Sequence, residues 1–203
     1  MRFAAVVLAA GHGRRFGGHK LLAPLEGRPV LEHVLAAVAA VAPAATIVVL
    51  GADAADAGRH VAWRGEQRVV NPDPGRGLSS SLKLGMAAVQ TLPDAETLDA
   101  ILVVLGDQPR ISAAVIGTLL GAETDRPIVV PRFAEDGARN PVLLQREAWP
   151  LVAAVSGDRG LGAFIDAHPD QVLELPVAGA NPDVDTPADL AALEDAARPA
   201  VDA

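Results

Sequence analysis

Three positive side chains and four glycines share one short stretch, Leu8-Ala9-Ala10-Gly11-His12-Gly13-Arg14-Arg15-Phe16-Gly17-Gly18-His19-Lys20. Glycine permits positive φ and lets backbone N–H groups come close to an anion, while Arg14, Arg15 and Lys20 supply the charge that a triphosphate demands. Far along the chain, Asp107 stands in Gly106-Asp107-Gln108-Pro109, directly after an apolar run, and Asp183 and Asp185 precede Thr186-Pro187. Beside a phosphate site, Asp107 can cap the following turn or hold Mg²⁺, which takes one or two carboxylates and completes its shell from substrate phosphates. Its place at the end of a strand favours the metal. Asp183 and Asp185 repel one another unless a cation lies near. Cations, magnesium and backbone amides are the tools of nucleotidyl transfer, in which two anions must be brought together and charge on a leaving pyrophosphate neutralised.

Two other phosphate loops fail the test of spacing. The dinucleotide pattern G-x-G-x-x-G needs glycine where Phe16 stands, and the Walker pattern needs a lysine directly after Gly18 and a hydroxyl where Leu21 stands. The chain has no cysteine, so disulfides, thiolate zinc sites and a cysteine nucleophile are excluded. The five histidines show no metal-binding spacing, and no Ser-His-Asp arrangement is evident.

The loop needs a rigid base. The apolar run Val6-Val7-Leu8-Ala9-Ala10 predicts a buried strand, and residues 1–10 are not expected to be a signal peptide, since cleavage there would remove the first core strand. Pro29 opens a helix whose apolar face is Val30, Leu31, Val34, Leu35, Val38 and Val41. Strands follow over 46–51 and 68–70, with a helical segment near 54–63 between them. Residues 71–83 form an irregular turn whose serines are expected to cap a helix carrying Leu82, Met86 and Val89. Ala100–Leu105 is the most continuously apolar strand and is predicted central, with Asp107 at its carboxyl end. Ligands in open α/β sheets sit beyond those ends, so Asp107 and the glycine loop are expected at one crevice. Strands over 127–131 and 140–144, a short helical run near 161–165, a strand over 172–176 and a last helix opened by Thr186, Pro187 and Asp189 complete the pattern. Such a β-α-β rhythm predicts an α/β fold with mostly parallel pairing.

The loop resembles the L-A-A-G-x-G-x-R-x-G-x-x-K signature of the MobA-like NTP transferase family, matched from Leu8 through Arg15, Gly17 and Lys20. The N-x-x-x-x-x-G-L-S-S-S-L stretch from Asn71 through Gly77, Ser79 and Ser80 to Leu82 looks like the base-reading loop of its molybdenum cofactor cytidylyltransferases, and Asp107-Gln108-Pro109 looks like their D-Q-P motif. The resemblance spans most of residues 3–195. It implies a single three-layer αβα, Rossmann-like domain of the nucleotide-diphospho-sugar transferase type over 1–197, with a disordered tail over 198–203. It further implies that Leu8, Ala9, Ala10, Gly11, Gly13, Gly17, Gly77, Ser79 and Ser80 bind the nucleotide, that Arg15, Lys20 and Asp107 act in catalysis, and that Asp107 with Asp185 holds Mg²⁺. Asn140, where the family commonly has histidine, and Arg159 are implied to bind the acceptor. The A-A-G at Ala9-Ala10-Gly11 favours CTP, and the implied reaction moves CMP onto the terminal phosphate of molybdopterin-type cofactor.

Composition limits the partners. The net charge is −8 and aromatic residues make up only 3%, which argues against a nucleic-acid partner. Residues 1–28 nonetheless hold five basic side chains against Glu26 alone, a local anion site in an acidic chain. No apolar run approaches the roughly 20 residues of a membrane span, and a cytoplasmic location is expected. The competing expectations are a guanylyltransferase, a sugar- or polyol-phosphate nucleotidyltransferase, a dinucleotide-binding module, and a non-catalytic chaperone delivering cofactor to a molybdenum hydroxylase client.

Overall fold

The computed structural model describes residues 1–11, 13–157 and 160–197. The tail expected over 198–203 and Arg159 lie outside the described residues. Seven strands form one sheet: β1 (Phe3–Ala9), β4 (Ala45–Leu50), β5 (Gln67–Val70), β6 (Ala100–Leu105), β7 (Ile128–Phe133), β8 (Val142–Gln145) and β9 (Val172–Val177). Their order is β5-β4-β1-β6-β8-β7-β9. All neighbours are parallel except β8, which runs antiparallel to both β6 and β7. The remaining strands, β2 (Pro24–Leu25) and β3 (Arg28–Pro29), make a small hairpin.

Burial on both faces explains why β1 and β6 read as unbroken apolar runs. Ala4, Val6 and Leu8 enter one core with Ile101 and Val103, while Phe3, Ala5, Val7 and Ala9 enter the other with Ala100, Leu102 and Val104. The second core is covered by α1 (Val30–Ala39), α2 (Ala54–His60) and α4 (Ala113–Leu120). The first is covered by α3 (Leu78–Gln90) and α5 (Leu161–Ala167), with a 3₁₀ segment, Arg146–Ala154, between them. Helix α3 lies so close to the sheet that a Cβ at Gly85 would come within 2.4 Å of Val6 Cγ1, so only glycine fits there. The last helix, α6 (Pro187–Ala197), begins as expected: Asp189 accepts from the Thr186 backbone N–H, and Thr186 Oγ1 accepts from that of Asp189.

Three local details differ from the sequence expectation. The serines of α3 do not cap it. Its N-cap is Gly77, at φ 88°, and Ser79 and Ser81 are buried inside the first turns. The Asn71 side-chain amide takes up the serine hydroxyls instead, donating to Ser80 Oγ at 2.8 Å and to Ser81 Oγ at 2.9 Å. The strand expected over 140–144 begins at Val142, after Asn140 and Pro141. The β2–β3 hairpin was outside the predicted elements because its strands have two residues each. Glu26 and Gly27, both at positive φ, form the two-residue turn that such a hairpin needs.

The chain switches direction at the β1/β6 boundary, with β4 and β5 laid down on one side of β1 and β6 on the other. The carboxyl ends of these two central strands therefore flank the crevice predicted for a ligand.

Candidate functional site

The glycine loop leaves β1 through Ala10, whose side chain is buried, so Ala9 and Ala10 offer backbone rather than side chain to a ligand. It then folds on itself: Phe16 N–H donates to the Gly13 carbonyl at 3.0 Å and Gly18 N–H to the same oxygen at 3.1 Å. Gly13, Gly17 and Gly18 all take positive φ, which shows what the glycines supply. The chain emerges into a 3₁₀ turn at Lys20, only 7% exposed.

Lys20 is where the distant parts of the sequence meet. Its Nζ donates to Asp107 Oδ2 at 2.6 Å and to Asp185 Oδ1 at 2.9 Å. Arg15, with its side chain 76% exposed, reaches the other oxygen of Asp185 at 2.8 Å. Burial works against the Lys20 ammonium, but the two carboxylates outweigh it and hold its pKa above the ordinary lysine value. The loop cations and both predicted metal carboxylates thus share one cleft.

Each carboxylate is held by its own segment. Asp107 follows β6 through Gly106, and its carbonyl accepts from Val184 N–H at 2.9 Å, tying the two segments together. Asp185 sits one residue further on, and its N–H donates to Asp189. Asp183 turns the other way and accepts from Gln108 Nε2 at 2.8 Å. The enclosure of its carboxyl, followed by the nearby Asp107 charge, pushes its pKa up to about 6, although the residue as a whole is exposed, which tempers the shift. Below the closing segment, Leu25, Val30, Val184 and Leu193 form a small apolar cluster joining the β2–β3 hairpin to α1 and α6.

The donor set fits a divalent cation. Asp107 and Asp185 already converge on one positive centre, and the ammonium there occupies the position that two carboxylates create for a cation. Among the described residues no group of three or more His, Cys, Asp or Glu side chains surrounds one point. A metal at this pair would therefore take its remaining ligands from phosphate and water, as Mg²⁺ characteristically does.

Three cavities are lined by predicted site residues, and one of them contains Lys20 and Asp185. The first, about 450 Å³, is lined by Gly11, Gly13, Arg14, Arg15, Lys20 and Asp185, with Pro74 and Gly75 opposite; Gly17 shapes the loop without lining it. A second of about 450 Å³ lies beyond Gly75, where Asn71, Ser79 and Ser80 meet Arg76 and Lys83. Gly77 separates the two as the hinge into α3. The third, a more enclosed chamber of about 210 Å³, lies over β6 and β8, with Leu8, Leu78, Leu82, Leu105 and Leu161 as walls and Arg139 and Asn140 as polar members. Arg139 is neutralised by Asp166 at 2.5 Å and Glu174 at 3.6 Å. The structure thus divides the predicted nucleotide residues: Leu8 faces the apolar chamber with Asn140, and Ser79 and Ser80 face the polar one.

Sequence reasoning gave Asn71, Gln108 and Asn181 no role, although Asn71 and Gln108 stand inside the two motifs that carry the resemblance. All three are buried amides whose partners lie largely in other segments, which the residues beside them do not announce.

Comparison with known proteins places these features in a family. The chain is 33% identical over 172 residues to nicotine blue oxidoreductase of Paenarthrobacter nicotinovorans, covering 81% of each protein. It is 37% identical over 123 residues to bifunctional GlmU of Burkholderia thailandensis, a match that takes in 59% of this chain but only 25% of that protein. Among solved structures, Rv0371c of Mycobacterium tuberculosis H37Rv superposes with a TM-score of 0.85 at 30% identity, covering 96% of this chain and 98% of that one. A manganese complex of the same protein superposes at 0.80 with 29% identity, over 96% and 99% of the two chains. Residues 5–172 match the MobA-like NTP transferase domain, and a match over so much of the chain means that this nucleotidyltransferase belongs to the MobA-like NTP transferase family.

Proposed function

We propose that the chain transfers CMP from CTP to the terminal phosphate of molybdopterin-type molybdenum cofactor and releases pyrophosphate. The observation that carries the reading is the meeting of Lys20, Asp107 and Asp185 at the mouth of a glycine-lined cationic cavity. A phosphomonoester has a second pKa near about 6 and is already largely dianionic at neutral pH, so its oxygen attacks the α-phosphorus without a strong general base. The protein's task is to align two anions and offset their charge. Gly11 and Gly13 leave the backbone open to the triphosphate. Arg15 and Lys20 stabilise the leaving pyrophosphate, and Arg14 adds charge at the cavity rim. Asp107 and Asp185 would hold Mg²⁺, which when bound supplies Lewis-acid neutralisation of the phosphate oxygens.

Ser79 and Ser80 stand beside a polar cavity suited to the base and ribose, while Asn140 borders the chamber on the acceptor side, where Arg159 is also assigned. The preference for CTP rests on the Ala9-Ala10-Gly11 sequence. The client that receives the product is a molybdenum hydroxylase, and the reaction is placed in the cytoplasm; no helix among the described residues is long and apolar enough to cross a membrane.

The test is pyrophosphate release with CTP, GTP, ATP and UTP, each with Mg²⁺ and either molybdopterin cofactor or sugar and polyol phosphates. The expected result is release that needs CTP and the cofactor. Preference for GTP overturns the base assignment, and preference for a sugar phosphate overturns the acceptor. Ligand binding without release, undiminished by Asp107→Ala, favours a delivery chaperone. The 33% identical relative carries an oxidoreductase name, and a dinucleotide-binding module is among the competing expectations, so the assay includes an arm with a reduced nicotinamide dinucleotide. Acceptor-dependent oxidation of that dinucleotide without pyrophosphate release would replace the transferase reading.

A further inference from the structure

The Asp107 and Asp185 segments are loops, and no strand ladder fixes their separation. Between their backbones runs the single bond from Val184 N–H to the Asp107 carbonyl. The rest of the connection is made by two buried amides, Gln108 at 3% exposure and Asn181 at 1%. Their bonds are reciprocal. Asn181 Nδ2 donates to Gln108 Oε1 at 3.0 Å, and Gln108 Nε2 donates to the Asn181 carbonyl at 3.3 Å and to Asp183 Oδ1 at 2.8 Å. Asn181 Nδ2 also donates to the Asn140 carbonyl at 3.1 Å, and Asn181 N–H to Asp136 Oδ2 at 2.8 Å.

Resting on the transferase reading above, we infer that the Gln108–Asn181 pair is the positioning device that sets the gap between Asp107 and Asp185 and links it to Asn140 at the acceptor chamber. Gln108 adjoins one carboxylate in the chain, and its amide grips Asp183, two residues from the other. Asn181 extends the same network to the segment that borders the acceptor. Two carboxylates so held face each other at one spacing whether an ammonium or a divalent cation lies between them.

The cost of the arrangement supports a positional purpose. Asn181 Oδ1 is buried and has no hydrogen-bond partner, the only such side-chain atom among the described residues. A buried acceptor left unpaired is destabilising. Turning the amide would pair neither Gln108 Oε1 nor the Asn140 carbonyl, because both are acceptors. The orphaned oxygen is thus the consequence of aiming both N–H groups at those two segments.

The experiment uses the whole chain with CTP and no acceptor, and follows Mn²⁺ binding by the loss of the free-ion electron paramagnetic resonance signal beyond the loss that the same CTP causes without protein. Gln108→Met preserves volume and removes the amide. Partners that orient metal ligands typically matter about 10- to 100-fold in metal affinity, so the Mn²⁺ dissociation constant is expected to rise at least tenfold while the dissociation constant for CTP, measured by calorimetry without metal, moves less than threefold. Leu119→Ala, a core truncation on the buried face of α4, controls for lost stability and is expected to leave Mn²⁺ affinity within twofold. Gln108→Glu keeps the acceptor for Asn181 but sets a carboxylate oxygen against Asp183 and the Asn181 carbonyl, and is expected to weaken Mn²⁺ binding at least tenfold as well; it is the variant to use should Gln108→Met not fold. Mn²⁺ affinity unchanged in both Gln108 variants overturns the inference and leaves the transferase reading standing. A wild-type chain that binds no Mn²⁺ in the presence of CTP overturns both.

Discussion

The two halves of the crevice are built on different plans. The β1 half is a short contiguous loop in which glycine backbone and cations do the work, and its cavity is open and charged. The β6/β8 half is assembled from side chains of β1, β6, β8, α3 and α5, and its chamber is smaller and walled by leucines. Triphosphate is the same in every nucleotide, so one stretch of sequence suffices to hold it. In the proposed reading the chamber takes the acceptor, whose shape would be matched by several segments brought together only by folding, so this half could change its side chains without touching the loop.

Breaking the charged half has the largest expected effect. Lys20→Met removes the ammonium between two carboxylates, and kcat is expected to fall by about 10²- to 10³-fold, the scale of losing one preorganised charge-stabilising donor. Steady-state pyrophosphate release checks it. Should Lys20→Met act only on KM for the acceptor, the division between halves is drawn in the wrong place.

Filling the other half sharpens the contrast. Leu161→Phe narrows the chamber, and kcat/KM for the acceptor is expected to fall by about 10-fold, as for a pocket misfit worth roughly 1–3 kcal/mol. CTP binding by calorimetry should stay within twofold. Between the halves, Asn71→Ala strips two hydroxyls and the Asp73 N–H of a partner, since Asn71 Oδ1 accepts from that N–H at 3.0 Å. A loss of about 1–3 kcal/mol in unfolding free energy is expected from buried groups left unpaired, with denaturant titration as the measure.

The smallest effect concerns pH. The Asp183 carboxyl has a folded-state pKa of about 6, above its ordinary 3.8, so the folded chain holds that proton more tightly than the unfolded one. Its contribution favours folding below about pH 4 and is lost as pH rises through 6. In metal-free protein, Asp183→Asn should remove this decline, so the variant gains stability relative to wild type between pH 4 and 6. The exposure of Asp183 keeps the difference small. A variant whose midpoint tracks wild type across that range refutes the assignment.

What the sequence made legible follows the same division. Glycines, Arg15 and Lys20 lie within one stretch after an apolar strand, so local spacing announced them. Asp107 was legible because it ends the most apolar run, and Asp185 because it opens a capped helix. Gln108 and Asn181 stand 73 positions apart and are joined only by the fold. The antiparallel insertion of β8 was equally hidden, since Val142, Leu143 and Leu144 are buried whichever way the strand runs. The serines of α3 carry a capping signature, yet the partner that claims two of them, Asn71, lies across an irregular turn whose path no propensity describes.

The little apolar cluster of Leu25, Val30, Val184 and Leu193 carries a mechanical implication. It buttons the far end of the polypeptide onto the hairpin that immediately follows the phosphate loop, so the final helix serves as a clasp for machinery encoded near the beginning. Clipping the chain before residue 187 would spare every residue assigned to the nucleotide in the proposed reading, and is expected to loosen the hairpin that follows the glycine loop.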